Sequence, residues 1–316
     1  MYDIISIADT CADLILGPDA NPQFGQAETW VQQYTLQMGG SANIFLSQAG
    51  RLGLKTAALG RVGGDAFGDL VLETLANSGV DTTHFKRDAA TPTGLSVILM
   101  QPTGDRAILT VGGTMTAAKP EDLPADFAKM ARHLHIASPY LLTGFMDAWV
   151  DLAKAVRANG GTVSLDTNWD PSAAFAGLDE LFCHVDVLLP NEQEARHLGG
   201  GDTLEDSLRN LAARVPTVAV KCGGDGAMGI SRAPGQTTEG LGKNQEIIRV
   251  EAPRVPVADT VGAGDSFDAG FLYGYLNGWP LVRCLQAGCV CGSGNVQAAG
   301  GTAGQPWQVD FLQQLG

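Results

Sequence analysis

A turn of small residues leads into an apolar, helix-like segment in Asp259-Thr260-Val261-Gly262-Ala263-Gly264-Asp265-Ser266-Phe267-Asp268-Ala269-Gly270. A helix that begins near Gly264 leaves its first backbone N–H groups without partners inside the helix. Those donors, together with the positive end of the helix dipole, favour an anion. Because residues 262–264 are small, a phosphate could approach the backbone closely. The stretch therefore predicts an anion-binding site at the start of a helix.

Asp265 would lie on the first turn of this helix, beside the bound anion. A carboxylate there can accept the proton of a hydroxyl group that attacks a phosphate. We expect the helix N-terminus to lower the pKa of Asp265, so that it is a weak base that takes the proton late in the reaction. The alternative interpretation is a glycine-rich turn followed by a capping Asp, which has the same pattern.

Length and charge narrow the classes of protein that fit this site. The chain has 316 residues, which is enough for one large α/β domain with a buried core. Its 34 acidic residues outnumber 20 basic ones, and the formal net charge is −14. An acidic surface argues against nucleic acid or a membrane as the partner. It leaves room for a phosphate that is held by backbone N–H groups.

The cysteines and the N-terminal residues indicate a cytoplasmic protein. The six cysteines form no Cys-x-x-Cys pair and are expected to be reduced thiols. Residues 1–10 lack the basic region and the long apolar run of a signal peptide, and residues 4–8 predict a buried strand. Residues 284–309 carry no charge, but polar residues and glycines interrupt them, so we expect no membrane-spanning helix there.

From residue 121 onwards, predicted strands alternate with predicted helices. The strands are expected at 133–137, 162–166, 185–189, 217–221, 227–231 and 247–250. The helices are expected at 121–130, 144–159, 178–183, 191–198, 203–213, 264–276 and 280–299, the last two ending the chain. This alternation is typical of an α/β fold with a doubly wound, mostly parallel sheet flanked by helices.

The first third of the chain predicts a smaller sheet as well. Strands are expected at 13–16, 29–35, 56–60, 94–100 and 106–111, with helices at 44–52 and 66–77. Pro102-Thr103-Gly104-Asp105 is a hairpin turn signal between the last two strands. The more exposed strands, from about 13–35 and 92–111, are expected to form a β-sheet lid on a single domain that covers residues 1–316.

Several ordered motifs resemble one known family. They are Met38-Gly39-Gly40-Ser41-Ala42-Asn43, Gly60-Arg61-Val62-Gly63-Gly64-Asp65, Asn191-Glu192-Gln193-Glu194, Lys221-Cys222-Gly223-Gly224-Asp225-Gly226-Ala227 and the Gly262–Asp265 turn. Together they resemble the PfkB carbohydrate kinases, the ribokinase-like family of sugar and nucleoside kinases, over nearly the whole chain. The resemblance implies a ribokinase-like fold and an enzyme that transfers the γ-phosphate of ATP, with Mg²⁺, to a hydroxymethyl group of a small sugar.

The resemblance also implies roles for individual residues. Asp265 would be the catalytic base, with Gly262, Ala263 and Gly264 as the anion hole. The sugar would be held by Asp13, Gly39, Gly40 and Asn43. The nucleotide would be bordered by Lys221, Gly223, Gly226 and Asn295. Asn191 and Glu194 would lie in the outer shell of Mg²⁺, and Asp259 beside a K⁺ site. The family further implies a homodimer formed through the lid.

The chain departs from the family pattern at a few positions. The spacing from Gly39-Gly40 to Asn43 is one residue shorter than in many ribokinases, and Cys11 and Ala137 stand where ribokinases often carry Asn and Glu. Asp170 follows Asp166-Thr167-Asn168 where kinases of acidic sugars often carry Arg. We therefore expect an acidic sugar to be disfavoured.

Other functions and roles fit parts of the sequence. A nucleoside kinase would need an aromatic slot for the base, from Phe24, Trp30 or Phe45. A sugar-binding regulator could keep the fold and lose catalysis. A nicotinamide oxidoreductase is disfavoured, because a strand and not a helix is expected after the glycines at 223–226. His133 and His135 have a spacing that could bind zinc, but core histidines are the favoured interpretation.

Overall fold

A computed structural model describes residues 1–103, 105–232 and 246–316. Its strands are β1 (Ile4–Ile7), β2 (Cys11–Gly17), β3 (Gln33–Gly39), β4 (Thr56–Gly63), β5 (Val80–Asp81), β6 (Phe85–Asp88), β7 (Gly94–Met100), β8 (Arg106–Val111), β9 (His133–Ala137), β10 (Thr162–Asp166), β11 (Val187–Leu188), β12 (Thr217–Lys221), β13 (Ala227–Ser231) and β14 (Ile248–Val250). Its α-helices are α1 (Ser41–Arg51), α2 (Ala66–Asn77), α3 (Gly113–Ala117), α4 (Phe127–Met130), α5 (Trp149–Ala158), α6 (Asp179–Phe182), α7 (Glu192–Gly199), α8 (Leu204–Ala212), α9 (Ala263–Leu276), α10 (Leu281–Asn295) and α11 (Gln308–Leu315).

Within the described residues, ten strands form the main sheet in the order β14-β13-β12-β11-β10-β9-β1-β4-β5, with β6 also paired to β4. The strands from β12 to β5 are parallel, and β13 and β14 add an antiparallel edge. β1 lies near the middle and is buried throughout. This confirms the expected doubly wound, mostly parallel sheet.

Apolar side chains cover both faces of the main sheet. One face packs against a cluster that includes Phe145, Trp149 and Phe182. The other face packs against Phe45 and Phe271, which α1 and α9 supply. The polar residues that stand at the edge of this sheet are therefore fixed by a core on either side.

A second sheet stands apart from the first. In the described part of the chain it has four strands in the order β3-β2-β7-β8. Its register places four polar side chains in one row on one face, because Asp13 pairs with Gln37 and with Ser96, and Ser96 pairs with Thr110. The middle of the turn expected at 102–105 includes Gly104, which lies outside the described residues. We call this second sheet the small sheet.

Two predicted elements were placed wrongly. The helix expected over 121–130 is a 3₁₀ turn at Pro120–Asp122 and the short α4, because Pro124 lacks a backbone N–H and holds Leu123 extended. The strand expected at 29–35 is β3, four residues later. Its exposed first half carries little of the alternation that marks a strand.

Further elements differ from the prediction. The helix expected from 144 begins at Trp149. The helix expected to reach 299 ends at Asn295, and it is not the final helix, since α11 follows it. The short strands β5 and β6 were missed because few residues carry their signal.

The segment before α11 links the end of the chain to its beginning. Gln305 is buried, accepts a hydrogen bond from Ser47 (2.8 Å) and donates to the Ile44 carbonyl oxygen (2.8 Å) and to Ser266 (3.0 Å). α1 is thereby tied both to α9 and to the C-terminal segment.

Across residues 1–103, 105–232 and 246–316, the helices are too short or too polar to span a lipid bilayer.

Candidate active site

The carboxyl ends of the central parallel strands bring polar residues to one edge of the main sheet. Asp9 follows β1, Ser138 follows β9, and Asn191 follows β11. Asp166 and Lys221 are the last residues of β10 and β12. Because parallel strands end at the same edge, this is where open α/β sheets bind their ligands.

α9 begins at this edge with the turn that the sequence singled out. Gly262 is its N-cap residue and has a φ of 73°, in the left-handed region that favours glycine. A Cβ atom at Gly262 would also lie 2.7 Å from the Gly301 carbonyl oxygen. No side chain caps the helix there. The N–H group of Ala263 donates to the Thr260 carbonyl oxygen (3.4 Å), whereas in the described residues those of Gly264 and Asp265 have no acceptor and are available to an anion.

Asp265 lies in the first turn of α9, with 8 % of its surface exposed. Burial raises its pKa well above the usual range, and the nearby Asp166 and Asp9 raise it further. Lys221 and a hydrogen bond from Ser41 act in the opposite direction without outweighing burial. The expected low pKa is therefore wrong, because removal from water outweighs the helix dipole. A higher pKa makes Asp265 a stronger base.

Asp265 and Asp13 both lie next to the backbone turn at residues 39–41. The Asp13 carboxylate packs so closely against Gly39 that any side chain at position 39 would overlap it. Two residues later, the Ser41 side chain lies near enough to Asp265 to lower the pKa of its carboxyl group. The two acids, each 8 % exposed, thus flank the turn at 39–41. Burial raises the pKa of Asp13, while Cys11 and Arg106 lower it in part.

The start of α1 is held by an acid from another element. The Asp9 carboxylate accepts hydrogen bonds from the N–H groups of Ser41 (2.9 Å) and Ala42 (3.0 Å). Burial raises the pKa of Asp9 to about 6, although the nearby Ser138 side chain and the N–H groups of Ser41 and Ala42 lower it in part. Asp9 therefore caps α1 and fixes the turn between the two acids.

Asn43 does not reach the place expected for the sugar. It is fully buried, and its amide donates to the Gly39 carbonyl oxygen (2.9 Å). A side chain without exposed surface supports the Gly39-Gly40 turn from behind and does not contact a ligand in this conformation.

Lys221 lies in a cluster with two acids that the sequence analysis did not assign. Its ammonium group is 2.7 Å from Asp166 Oδ2 and 3.1 Å from Asp268 Oδ2. These residues come from β12, β10 and α9. Asp268 gave a signal that was overlooked, since it is a charged residue in an apolar helix, three positions after Asp265 and on the same helix face.

A cavity of about 400 Å³ adjoins the start of α9. Its lining includes Lys221 at the end of β12, Gly223 and Gly226 from the turn between β12 and β13, residues 252–255, and Ala263 and Gly264. This volume suits a small organic ligand such as a nucleoside. The β12–β13 hairpin is antiparallel, so the glycine pattern there is not followed by the helix that a dinucleotide fold requires.

Two residues expected around the nucleotide and the K⁺ site support a loop instead of lining the cavity. Asn295 is fully buried, and its amide donates to the Val261 carbonyl oxygen (2.6 Å). Asp259 accepts from the N–H groups of Val261 (3.1 Å) and Gly300 (2.9 Å). Both hold the backbone that precedes α9.

Asn191 and Glu194 form a capping box at the start of α7. The Asn191 amide donates to Glu194 Oε1 (2.6 Å), and its backbone N–H donates to Oε2 (2.9 Å). Burial raises the pKa of Glu194 to about 7, with Asp166 adding to the rise and Lys221 opposing it. The pair belongs to the same electrostatic environment as Asp265.

Other residues weighed from the sequence lie outside the site. Asp170 accepts hydrogen bonds from the N–H groups of Ser172 (2.8 Å) and Phe175 (2.7 Å), so it folds its own loop and gives no reason to exclude an acidic sugar. His133 and His135 are buried and bond to Ser164, as expected of core histidines. No group of three or more His, Cys, Asp or Glu residues suited to a metal ion occurs in the described ranges.

The fold, and the polar residues at the carboxyl ends of its central strands, define the class of protein as a ribokinase-like kinase. The family described as pfkB family carbohydrate kinase matches residues 1–308, and the chain belongs to it. It is 29 % identical to a 5-dehydro-2-deoxygluconokinase of Geobacillus thermodenitrificans (92 % of this chain, 86 % of the relative) and 29 % identical to the ribokinase of Arabidopsis thaliana (99 % and 80 %). A nucleoside kinase of Methanothermobacter thermautotrophicus is 27 % identical (89 % and 85 %).

Solved structures agree with this assignment. The Arabidopsis thaliana ribokinase complexed with ribose and ATP has a TM-score of 0.83 at 26 % identity, covering 99 % of this chain and 98 % of the other. A putative ribokinase II from E. coli in complex with ATP and Mg²⁺ has a TM-score of 0.85 at 24 % identity, covering 100 % and 99 %. The protein is therefore a kinase of a family that includes sugar and nucleoside kinases.

Proposed function

We propose that the protein transfers the γ-phosphate of ATP to a hydroxymethyl group of a small sugar. The observation that carries this proposal is the turn at 39–41, which has Asp13 on one side and Asp265 on the other. A substrate held by Asp13 would present a hydroxyl group to a base at the N-terminus of α9.

The side chains around the turn have complementary tasks. Asp13 accepts hydrogen bonds from sugar hydroxyl groups, and the row formed with Gln37, Ser96 and Thr110 adds further polar groups on the same face of the small sheet. Gly39 and Gly40 allow the sugar to approach the backbone. The cavity beside residues 223–226 takes the nucleoside part of ATP.

The transfer step uses Asp265 and the backbone at 262–264. The attacking hydroxyl oxygen forms a bond to the γ-phosphorus as the bond to the β–γ bridging oxygen breaks, and ADP leaves with that electron pair. Asp265 accepts the hydroxyl proton. The N-terminal N–H groups of α9 stabilise negative charge on the transferring phosphoryl group.

The residues near α7 suit an outer-shell role for Mg²⁺. Glu194 accepts hydrogen bonds from Asn191 and, in the described residues, forms no ion pair within 4 Å. Its oxygens keep lone pairs for water molecules of a hydrated ion. Mg²⁺, when bound, neutralises charge on the phosphates.

A K⁺ ion near Asp259 is part of the proposal because Asp259 joins the loop before α9 to Gly300. An ion at this junction would support the anion-binding turn. Comparison of turnover in KCl and in tetramethylammonium chloride tests it, and equal rates would remove K⁺ from the proposal.

A sugar is favoured over a nucleoside as the acceptor. Phe45 is buried and stacks on His135 with ring centroids 3.8 Å apart, so it offers no slot for a base. Phe24 and Trp30 are at least 90 % exposed, on the loop between β2 and β3. Nothing supports the catalytically silent regulator, and the sequence keeps the Gly262–Asp265 turn that the proposed transfer needs.

A screen for ADP release tests the proposal directly. The acceptors are ribose, fructose, 2-keto-3-deoxygluconate, 5-dehydro-2-deoxygluconate, adenosine and inosine, with Asp265→Asn as the inactive control. Turnover of a sugar is expected. Turnover of nucleosides alone would establish the nucleoside kinase, and calorimetric sugar binding without ADP release would establish the regulator.

We also propose that the small sheet forms a homodimer. The face opposite Asp13 carries the exposed side chains of Tyr34, Leu36, Leu109 and Val111. Light scattering should give twice the 33.0 kDa of one chain. Leu109→Asp should give monomers, whereas Val309→Asp, a change at another exposed apolar residue on α11, should not. A monomeric wild type would reject the dimer.

A further inference from the structure

We propose that Asp166, Lys221 and Asp268 form a positioning unit that holds the first turn of α9 against the ends of β10 and β12. Although Lys221 borders the cavity beside α9, in this unit it binds the two acids and does not bind a nucleotide phosphate. The inference rests on the proposed kinase function, and it assigns to Lys221 a task other than the nucleotide contact implied by the family resemblance.

The first argument is the geometry of the ammonium group. Lys221 Nζ is 2.7 Å from Asp166 Oδ2, and 3.1 Å and 3.3 Å from the two oxygens of Asp268. An ammonium group has three N–H donors. The three short contacts occupy these donors. The side chains of Asp166 and Asp268 are 2 % and 0 % exposed, and that of Lys221 is 11 % exposed.

The second argument is the distance to the catalytic turn. A Cβ atom at Gly264 would lie 3.5 Å from Lys221 Nζ, so the ammonium group rests on the first turn of α9. Asp268 is three residues after Asp265 and projects from the same side of the helix. The cluster therefore contacts α9 directly beside Asp265.

The third argument is the charge of the cluster. Burial raises the pKa of Asp268 well above its usual range, and Asp166 raises it further, although Lys221 opposes this. For Asp166, burial is outweighed by Lys221 and by hydrogen bonds, and the pKa is lowered. Protonation is therefore favoured at Asp268 and ionisation at Asp166, so that Asp166 balances the charge of Lys221. A buried cluster without net charge attracts a phosphate only weakly.

The charged and titratable groups around Asp265 are Asp9 from the end of β1, Asp166 from β10, Lys221 from β12 and Asp268 from α9. Loss of the Lys221 charge leaves Asp166 unbalanced and disfavours the ionised form of Asp265. Loss of the Asp166 charge leaves Lys221 unbalanced and favours that form. The two changes must therefore move the ionisation of Asp265 in opposite directions.

The test is the pH dependence of kcat with a sugar that the wild type phosphorylates. The acidic limb should move to higher pH by about one unit in Lys221→Met and to lower pH by about one unit in Asp166→Asn. Asp268→Asn keeps the shape of a protonated carboxyl group, so its acidic limb should stay at the wild-type pH. The KM for ATP should change less than about threefold in all three variants.

Several outcomes would overturn the inference. If Lys221 binds phosphate, Lys221→Met will raise the KM for ATP at least about tenfold and leave the acidic limb in place. Limbs that move in the same direction, or a limb moved by Asp268→Asn, contradict the charge assignment. If Lys221→Met does not fold, the acidic limbs of Asp166→Asn and Asp268→Asn still test the inference. A wild type inactive on every acceptor rejects the proposed function, whereas an active wild type with unmoved limbs rejects this inference alone.

Discussion

Asp265 is subject to two opposing influences on its charge. The N-terminus of α9 favours the ionised carboxylate, while burial favours the protonated form, and burial is the larger effect. A base of raised pKa takes a proton more readily, provided that the medium is alkaline enough to ionise it. We therefore expect catalysis to depend on the pH at which Asp265 ionises.

Asp265→Asn should lower kcat by at least 10²-fold, because the amide cannot accept the hydroxyl proton and removal of a general base typically costs about 10²–10⁴-fold. Asn preserves size, so the melting temperature and the affinity for ADP should change little. Stopped assays and calorimetry give these values. Turnover like that of the wild type would reject the role of Asp265, and loss of folding would make it a structural cap.

The acidic limb of the wild-type profile should reflect ionisation of Asp265. The ionised form is the active base, so kcat should rise with pH through a pKa well above the usual range for Asp. A profile of kcat from pH 5 to 9 measures this. A flat profile down to pH 5 would contradict the direction of the shift.

Asp13→Ala should reduce kcat/KM for the sugar by at least tenfold, since each charge-assisted hydrogen bond is worth roughly 1.5–3 kcal/mol. The KM for ATP should stay the same, because the nucleotide cavity does not include Asp13. Thr110→Val, at the far end of the same row, is a milder control. Unchanged sugar kinetics in Asp13→Ala would exclude this contact.

At the level of elements, α1 depends on a cap that comes from the end of β1. Removal of a capping oxygen costs about 0.5–2 kcal/mol, so Asp9→Ala should lower stability by that amount in denaturant unfolding. Asp9→Asn keeps one acceptor and should lose less. A stability equal to that of the wild type in Asp9→Ala would mean that the cap contributes nothing.

The prediction of elements succeeded where the signal is local. β7, β8, β9, β10, β12 and β13 begin and end where the sequence indicated, because each has an apolar run bounded by turn residues. The anion-binding turn at 262–264 could be predicted because the small residues and the helix lie together in the sequence.

Relations between distant residues could not be predicted in this way. Lys221 meets Asp166 and Asp268 only because β10, β11 and β12 are neighbours and α9 starts at their carboxyl ends. The raised pKa of Asp265 likewise depends on how much water the assembled core excludes. Strand order and burial are properties of the whole fold, and no short motif contains them.

At the scale of the whole molecule, the small sheet has less support than the main one. All six residues of β8 are exposed, and β3 is exposed over its first four residues. Elements with few buried contacts open more readily than a core. We expect closure over the sugar to stabilise them.

Hydrogen exchange should therefore be faster in residues 13–35 and 92–111 than in β1 and β9 without ligand, and it should slow in the small sheet when sugar is added. Mass spectrometry of peptic peptides measures both. The Asp13→Ala variant is the control, because sugar should protect it less. Equal exchange with and without sugar would reject closure.

The contacts of Gln305 have a consequence for synthesis on the ribosome. Gln305 bonds to Ser47 and Ile44 in α1 and to Ser266 in α9, so the order of assembly in space is not the order of translation. Asp13 and the turn at 39–41 are synthesised before residue 305, which makes the contact that secures α1. A nascent chain that is still short of residue 305 lacks this connection. The enzyme therefore cannot complete its site before residue 305 has left the ribosome.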